Sequence, residues 1–360
     1  MNNKLTIASA GSGKTEYLVN RALSLSPAKI LITTFTEANA AELKARIIKK
    51  ARAIPSNVTI QTWFSFLLQH GIRPFQGNLI DFDFNGMTLS NGRSATYVAR
   101  SNIRKYYFNQ GLQIYSDKIA DFIVRCDGES SGKVIDRISK IFEYVFVDEV
   151  QDLSGYDLDV LHLLFESNIV VELVGDPRQS TYSTSDSPKN KQYRATSLVG
   201  FFENVSHLVK IDDTSLNKNY RSVRAICDLS NKLYPDLKQA TSGNQERQED
   251  QGCYVVYEED VEAYLAKYKP MQLRDSIKKK VNSNYPVMNF GASKGCTYDR
   301  VLIYATGPIQ EWIKSQEKEL KDRSKAKLYV AITRARFSVA FVIPKKIKSY
   351  SKDFLLYSLE

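Results

Sequence analysis

The sequence is poor in metal ligands and in cross-linking residues. It holds three histidines (His70, His162, His207) and four cysteines (Cys126, Cys227, Cys253, Cys296) in 360 residues. No two cysteines are spaced as a CxxC pair, which removes zinc-ribbon and thioredoxin-like readings, and so few imidazoles leave little for a histidine metal site. Sparse thiols without a disulfide framework fit a reducing compartment, so a cytoplasmic location is expected. No window approaches the ~18 uninterrupted apolar residues that a spanning helix needs. The apolar run at residues 5–8 is too short for the core of a secretory signal, and no membrane partner is expected.

What is present is ordinary globular material, with 43 % hydrophobic and 25 % charged residues, enough for each of two or three domains to bury its own core. Lys and Arg number 50 against 40 Asp and Glu, a net charge of +10 that hints at a polyanionic partner. Strand-length apolar runs recur at 5–8, 30–32, 144–147, 170–174, 253–257, 301–304 and 338–342. Most do not alternate, as in strands buried on both faces of a parallel sheet. Helix-like stretches lie between them at 14–25, 37–52, 155–165 and 325–334. This alternation predicts an α/β fold of doubly wound parallel sheets. Residues 71–140 break the rhythm with basic and aromatic helix-like patterns at 97–107 and 116–125, and are expected to form an inserted helical subdomain. Residues 238–252 are polar, lack apolar periodicity and are expected to be a loop.

The 5–8 run leads into Ser9, Ala10, Gly11, Ser12, Gly13, Lys14 and Thr15, then into a helix-like stretch. Strand, glycine-bearing loop, Lys-Thr and helix are the ordered parts of a phosphate-binding loop. Gly11 and Gly13 let backbone N–H groups approach phosphate oxygens, and the helix N-terminus adds its positive end. Lys14 is expected to neutralise β- and γ-phosphate charge, and the Thr15 hydroxyl to ligate Mg²⁺. Residues 144–147 run into Asp148 and Glu149. An acidic strand end alone is more often a solvated turn. With a phosphate loop upstream it suits a Mg-nucleotide site, where Asp148 holds the ion through water and Glu149 polarises the attacking water.

Five further segments follow in order, and together the series resembles the UvrD/Rep family of superfamily 1 helicases. Residues 8–15 resemble motif I, and residues 33–41, with Thr34 and Phe35, motif Ia. Asp148-Glu149-Val150-Gln151-Asp152 resembles the DExQD motif II, and Gly175-Asp176-Pro177-Arg178-Gln179-Ser180 motif III. Asn219-Tyr220-Arg221-Ser222 is similar to motif IV, Ser293-Lys294-Gly295 followed by Asp299 to motif V, and residues 329–336, with Arg334, to motif VI.

The resemblance implies two RecA-like P-loop domains with ATP in the cleft between them. It implies a first domain at 1–70 and 141–205, a helical accessory insertion at 71–140, and a second domain at 206–360. It casts Gln179 as a γ-phosphate sensor, Tyr220 as a stacking face for the base, Arg221 and Arg334 as arginine fingers, and Gly295 as a further nucleotide contact. A planar guanidinium suits the charge that develops on a transferring phosphoryl group. Single-stranded DNA would meet Thr34, Phe35, Thr62, Trp63, Tyr182, Ser293 and Lys294, combining aromatic stacking with phosphate contacts.

The sequence also departs from the family. With seven residues before residue 8, no counterpart of the family's upstream adenine-reading Gln motif is expected. Phe64 stands where the family has His, Tyr182 follows Gln179 in place of a Trp-Arg pair, and Thr297 replaces a Glu. About seventy residues separate Ser222 from Ser293, too few for the family's second accessory domain. Lysines cluster at 278–280, 314–327 and 345–348; the middle cluster alternates with acids and is expected to be a solvated helix face. The others are candidates for phosphate contacts.

The expected activity is that of an ATP- and Mg²⁺-dependent translocase or helicase on single-stranded DNA or a tailed duplex, with 3′-to-5′ movement implied by the resemblance. The alternative is a DNA-sensing ATPase subunit that regulates a partner such as a nuclease, similar to helicase subunits of bacterial antiphage systems.

Overall fold

The computed structural model describes residues 2–345, 347 and 349–358. Two compact units divide them. One takes the chain up to Ile7, Lys14–Pro177 and Tyr182–Asp212. The other takes Ala8–Gly13, Arg178–Thr181 and the chain from Asp213 onward.

In the first unit the strands are β1 (Asn3–Ile7), β2 (Ile30–Thr34), β3 (Val58–Thr62), a short pair β4 (Met87–Thr88) and β5 (Ile114–Tyr115), β6 (Tyr144–Asp148), β7 (Val170–Gly175) and β8 (Val209–Asp212). Six of them form one sheet in the order β3-β2-β6-β7-β1-β8, with every pair parallel. β2 is buried at every residue, which explains its unbroken apolar and Thr composition. Helices Lys14–Ser24, Glu37–Ala51 and Asp157–Glu166 lie between the strands in sequence. Glu37–Ala51 starts where Thr36 accepts from Asn39 N at 3.1 Å and buries Ala40, Leu43 and Ile47 along one face. Because β6, β7 and β1 are parallel neighbours, Asp148, Gly175 and Ile7 end along one sheet edge, where ligands of such sheets bind.

Residues 71–140 share the core of this unit. Tyr107, Phe108, Phe122 and Ile123 belong to one buried cluster with Trp63, Phe66, Val145 and Leu161. The helices observed there differ from the expected ones. Residues 97–107 give a helix only over Ile103–Tyr107, because Asn102 caps it by accepting from Lys105 N at 3.2 Å. Residues 116–125 give a single turn followed by the helix Ile119–Glu129, and Lys133–Ile141 adds another.

His70 lies on an irregular helical turn, Leu67–Ile72, between Phe66 and Phe142. It is buried, and neither ring nitrogen has a hydrogen-bond partner among the described residues. Burial, aided by the Arg137 cation, lowers its pKa. The folded state therefore prefers the neutral ring, and its contribution is complete above the unfolded value of about 6.5 and lost as pH falls through and below it. His70→Phe is expected to flatten the loss of stability between about pH 7 and pH 5, followed by urea midpoints; an unchanged acid slope contradicts the assignment.

In the second unit a short pair, β9 (Lys218–Asn219) and β10 (Thr241–Ser242), precedes β11 (Gly252–Tyr257), β12 (Met271–Arg274), β13 (Val287–Asn289), β14 (Tyr298–Tyr304), β15 (Ala335–Ile343) and β16 (Leu355–Leu356). The sheet order is β13-β12-β14-β15-β11-β16, again all parallel. The tract 238–252 is a loop over most of its length, but β10 falls inside it and β11 starts at its last residue. The helix expected at 325–334 runs over Asp322–Ile332, and Thr333 folds its hydroxyl back onto Tyr329 O at 2.8 Å. No helix among the described residues is long and apolar enough to cross a membrane.

Candidate active site and nucleic-acid interface

In the first unit, Lys14 and Thr15 open the helix Lys14–Ser24 that follows β1. Both side chains are half-buried, and neither has a side-chain hydrogen bond or ion pair among the described residues. At the end of β6 the backbone turns sharply. Glu149 has φ +57°, and its N–H donates to Asp148 Oδ1 at 2.9 Å. A non-glycine residue in the left-handed region is strained and commonly marks a functional turn. Here it takes the Glu149 side chain off the line of the strand.

Gln151, part of the acidic motif but given no role from sequence, ties the turn together. Its Nε2 donates to Glu149 Oε2 and its Oε1 accepts from Asp176 N at 3.0 Å. A Cβ on Gly175 would collide with Gln151 Oε1 and Val150, so glycine is required for that approach. No group of three or more His, Cys, Asp or Glu side chains among the described residues could hold a metal. Mg²⁺ takes one or two protein oxygens and otherwise phosphate and water. The Asp148 carboxylate and the unpartnered Thr15 hydroxyl are a donor set of that kind.

In the second unit, residues 8–13 form the loop. Gly11 and Gly13 have φ +70° and +86°, and Ser12 Oγ donates to Ser9 O at 2.8 Å. The loop runs against residues 216–221: Ser9 N donates to Leu216 O and Tyr220 N to Gly11 O, both at 2.9 Å. A Cβ at Gly11 would collide with the Asn219 amide. Buried Asn219, another residue without a role from sequence, accepts from Arg221 N at 2.8 Å and Ser222 N at 3.0 Å and so shapes that turn. Tyr220 is 61 % exposed, an open aromatic face. Arg221 Nη1 donates to Thr333 O at 3.0 Å. Arg334 is 1 % exposed and held by Val330 O (2.9 Å), Cys296 O (3.3 Å), Thr333 Oγ1 (3.0 Å) and Gln179 Oε1 (3.3 Å). The structure thus brings Gln179 and Arg334 together. Arg178, also missed, donates to Ala8 O at 3.3 Å and Lys238 O at 3.2 Å, with its guanidinium 5.3 Å from the Tyr329 ring centroid.

The expected DNA-facing residues separate into two groups. Phe35 stacks on Tyr182 with centroids 6.2 Å apart and lies 6.3 Å from Phe64; Tyr182 is 45 % exposed, whereas Phe35 and Phe64 are half-buried, Phe64 against the core. Trp63 is not presented. It is 1 % exposed, and its Nε1 donates to Asp157 Oδ1 at 2.7 Å inside the core. Thr62 is spent capping Trp63–Phe66 by accepting from Ser65 N, and Thr34 is buried. Ser293 is buried too, with its hydroxyl on Phe290 O at 2.7 Å. Thr34, Thr62, Trp63 and Ser293 thus present no exposed side chain. Lys294 is half-buried, and Gly295 follows at φ +87° with open space around it.

Of the lysine clusters, 314–327 is not the single helix face expected: the helix Gly307–Ser315 ends and Asp322–Ile332 begins within it, with Lys314 on Glu311, Lys325 on Glu319 and Lys327 on Asp275. Lys345 pairs with Glu259, whereas Lys346 and Lys348 lie outside the described residues.

A family model for the viral superfamily 1 RNA helicase core domain matches residues 126–343, and one for the UvrD/REP helicase N-terminal domain matches residues 1–76. A probable DNA helicase II homolog of Mycoplasma capricolum is 22 % identical over 293 residues, covering 64 % of this chain and 39 % of that protein. The ATP-dependent DNA helicase Rep of Buchnera aphidicola is 24 % identical over 284 residues, covering 64 % and 41 %. The chain thus spans about two fifths of the length of these curated relatives. Among solved structures, Arterivirus nonstructural protein 10 (helicase) with DNA is 15 % identical, with a TM-score of 0.49 over 96 % of this chain and 61 % of that one.

Proposed function

The chain belongs to the superfamily 1 helicases, and from that premise we propose that it is an ATP-driven single-stranded DNA translocase or helicase, moving 3′ to 5′. The observation that carries the reading is the turn at Asp148–Gln151, where Gln151 fastens Glu149 to the backbone of Asp176. Glu149 orients and polarises the attacking water, and Lys14 with the loop amides takes up phosphate charge. Thr15 and Asp148 would hold Mg²⁺, which would supply charge neutralisation on the phosphates. Tyr220 offers its face to the base. Arg334 must exchange Gln179 for a phosphoryl oxygen to act as a finger, which couples the γ-phosphate to both residues. The Tyr182–Phe35 pair stacks on unpaired bases, a sequence-tolerant grip.

The test is steady-state ATP hydrolysis with and without single-stranded DNA, followed by unwinding of 3′- and 5′-tailed duplexes. Hydrolysis is expected to rise at least several-fold with DNA, and unwinding to need a 3′ tail. DNA-stimulated hydrolysis without unwinding would support a sensing ATPase subunit instead. Hydrolysis indifferent to DNA would overturn both.

A further inference from the structure

Three consecutive lysines, Lys278, Lys279 and Lys280, stand on the loop 275–286 joining β12 to β13. This loop is braced along both limbs. Gln272 on β12 is fully buried; its Nε2 donates to Asn282 O at 2.8 Å and to Tyr285 O at 3.3 Å, while its Oε1 accepts from Tyr304 Oη at 2.7 Å. Arg274 Nη1 donates to Lys279 O at 3.0 Å, and Lys279 N closes a tight turn on Ser276 O at 3.0 Å. Asn282 Nδ2 donates to Glu262 Oε2 at 2.7 Å. A buried amide with three such bonds fixes the loop's path, so its tip is displayed in a set position.

The tip separates its charges. Lys279 is drawn back, with Nζ 3.9 Å from Glu258 and 5.8 Å from the Tyr304 ring centroid. Lys278 and Lys280 differ from it: both are exposed, and neither has an ion-pair partner among the described residues. The acid at the start of the loop, Asp275, is neutralised by Lys327 at 2.7 Å. Beside the lysines, Ile277 is 75 % exposed, a large apolar side chain held in water. The loop also springs from the strand that frames motif V. Arg274 pairs with Asn289, Phe290 N donates to Arg274 O at 2.9 Å, and the turn Gly291–Ser293 leads directly to Lys294.

We infer that residues 277–280 are a nucleic-acid contact of the second unit, with Lys278 and Lys280 on backbone phosphates and Ile277 against a base or sugar. The inference rests on the nucleic-acid reading above. Two unpaired ammonium groups on a fixed tip match the compact point charge of phosphate. An apolar residue among them suits an unstacked base, as in apolar wedges of other nucleic-acid binders. The loop lies between motifs IV and V in sequence, and its first limb leaves β12 where Arg274 is bonded to Phe290, four residues before Lys294.

The experiment is equilibrium binding of the full chain to a fluorescein-labelled DNA duplex with a 3′ single-stranded tail, over a series of KCl concentrations. Each phosphate contact contributes about 0.7–0.9 to the slope of log K against log[salt]. Lys278→Gln with Lys280→Gln is expected to lower the slope by about 1.4–1.8, with DNA-free ATP hydrolysis and melting temperature unchanged. Ile277→Ser is expected to weaken binding several-fold at an unchanged slope. A double variant with the wild-type slope overturns the inference while leaving the proposed function standing. A wild-type chain that binds no DNA at any salt brings down the proposed function itself.

Discussion

Glu149→Gln is expected to cut the ATP turnover number by about 100- to 10,000-fold while nucleotide affinity stays within a few-fold of wild type. The substitution keeps size and shape, so the left-handed turn at φ +57° and the contact with Gln151 can persist as an amide pair. What is lost is the carboxylate's ability to draw a proton from water. Lys14, Thr15 and the loop glycines are untouched, so phosphate binding should survive. Single-turnover hydrolysis separates the two quantities, and a fluorescent nucleotide titration supplies the affinity. Wild-type turnover in the glutamine variant would remove Glu149 from the mechanism.

Trp63→Ala is expected to destabilise the first unit by about 3–5 kcal/mol, among the largest effects of any single truncation. The indole is 1 % exposed and packs on Phe66 at 5.5 Å between centroids. It is also one of three donors to buried Asp157, beside Ser154 N at 3.3 Å and the Thr184 hydroxyl. Burial pushes the Asp157 carboxyl up, so removing a donor leaves a poorly solvated acid as well as a cavity. Trp63→Phe keeps most of the volume and should cost clearly less. Urea denaturation of both variants checks this. If Trp63→Ala lost less than about 1 kcal/mol but weakened DNA binding strongly, the ring would have to be a strand contact after all.

Trp63 also shows where sequence reasoning stops. Its partner lies 94 residues downstream, and no local pattern says which of Phe35, Trp63 and Phe64 turns outward. The parallel strands were legible because strands covered on both faces carry unbroken apolar runs, Ile30–Ile32 in β2 and Tyr144–Val147 in β6. β3 was not, because its burial alternates and its sequence, Val-Thr-Ile-Gln-Thr, carries no unbroken run. The phosphate loop and acidic turn were legible because their chemistry is fixed by short spacings. Gln151, Asn219 and Arg178 were not assigned roles, since each acts through contacts made only on folding. The helical pattern at 97–107 failed because Asn102, a good cap, sits inside it and starts the helix late.

β1 pairs with β7 and β8, and with no strand nearer in sequence. A ribosome that has made β1 must therefore add the chain through Asp212 before both neighbours exist, on the order of ten to forty seconds at about 5–20 residues per second. Until β7 is complete at Gly175 the strand that leads into the phosphate loop has no ladder to join, and its second neighbour comes only with Asp212. The loop it leads into is hydrogen-bonded to Leu216 and Tyr220 and cannot take its final form before they are made.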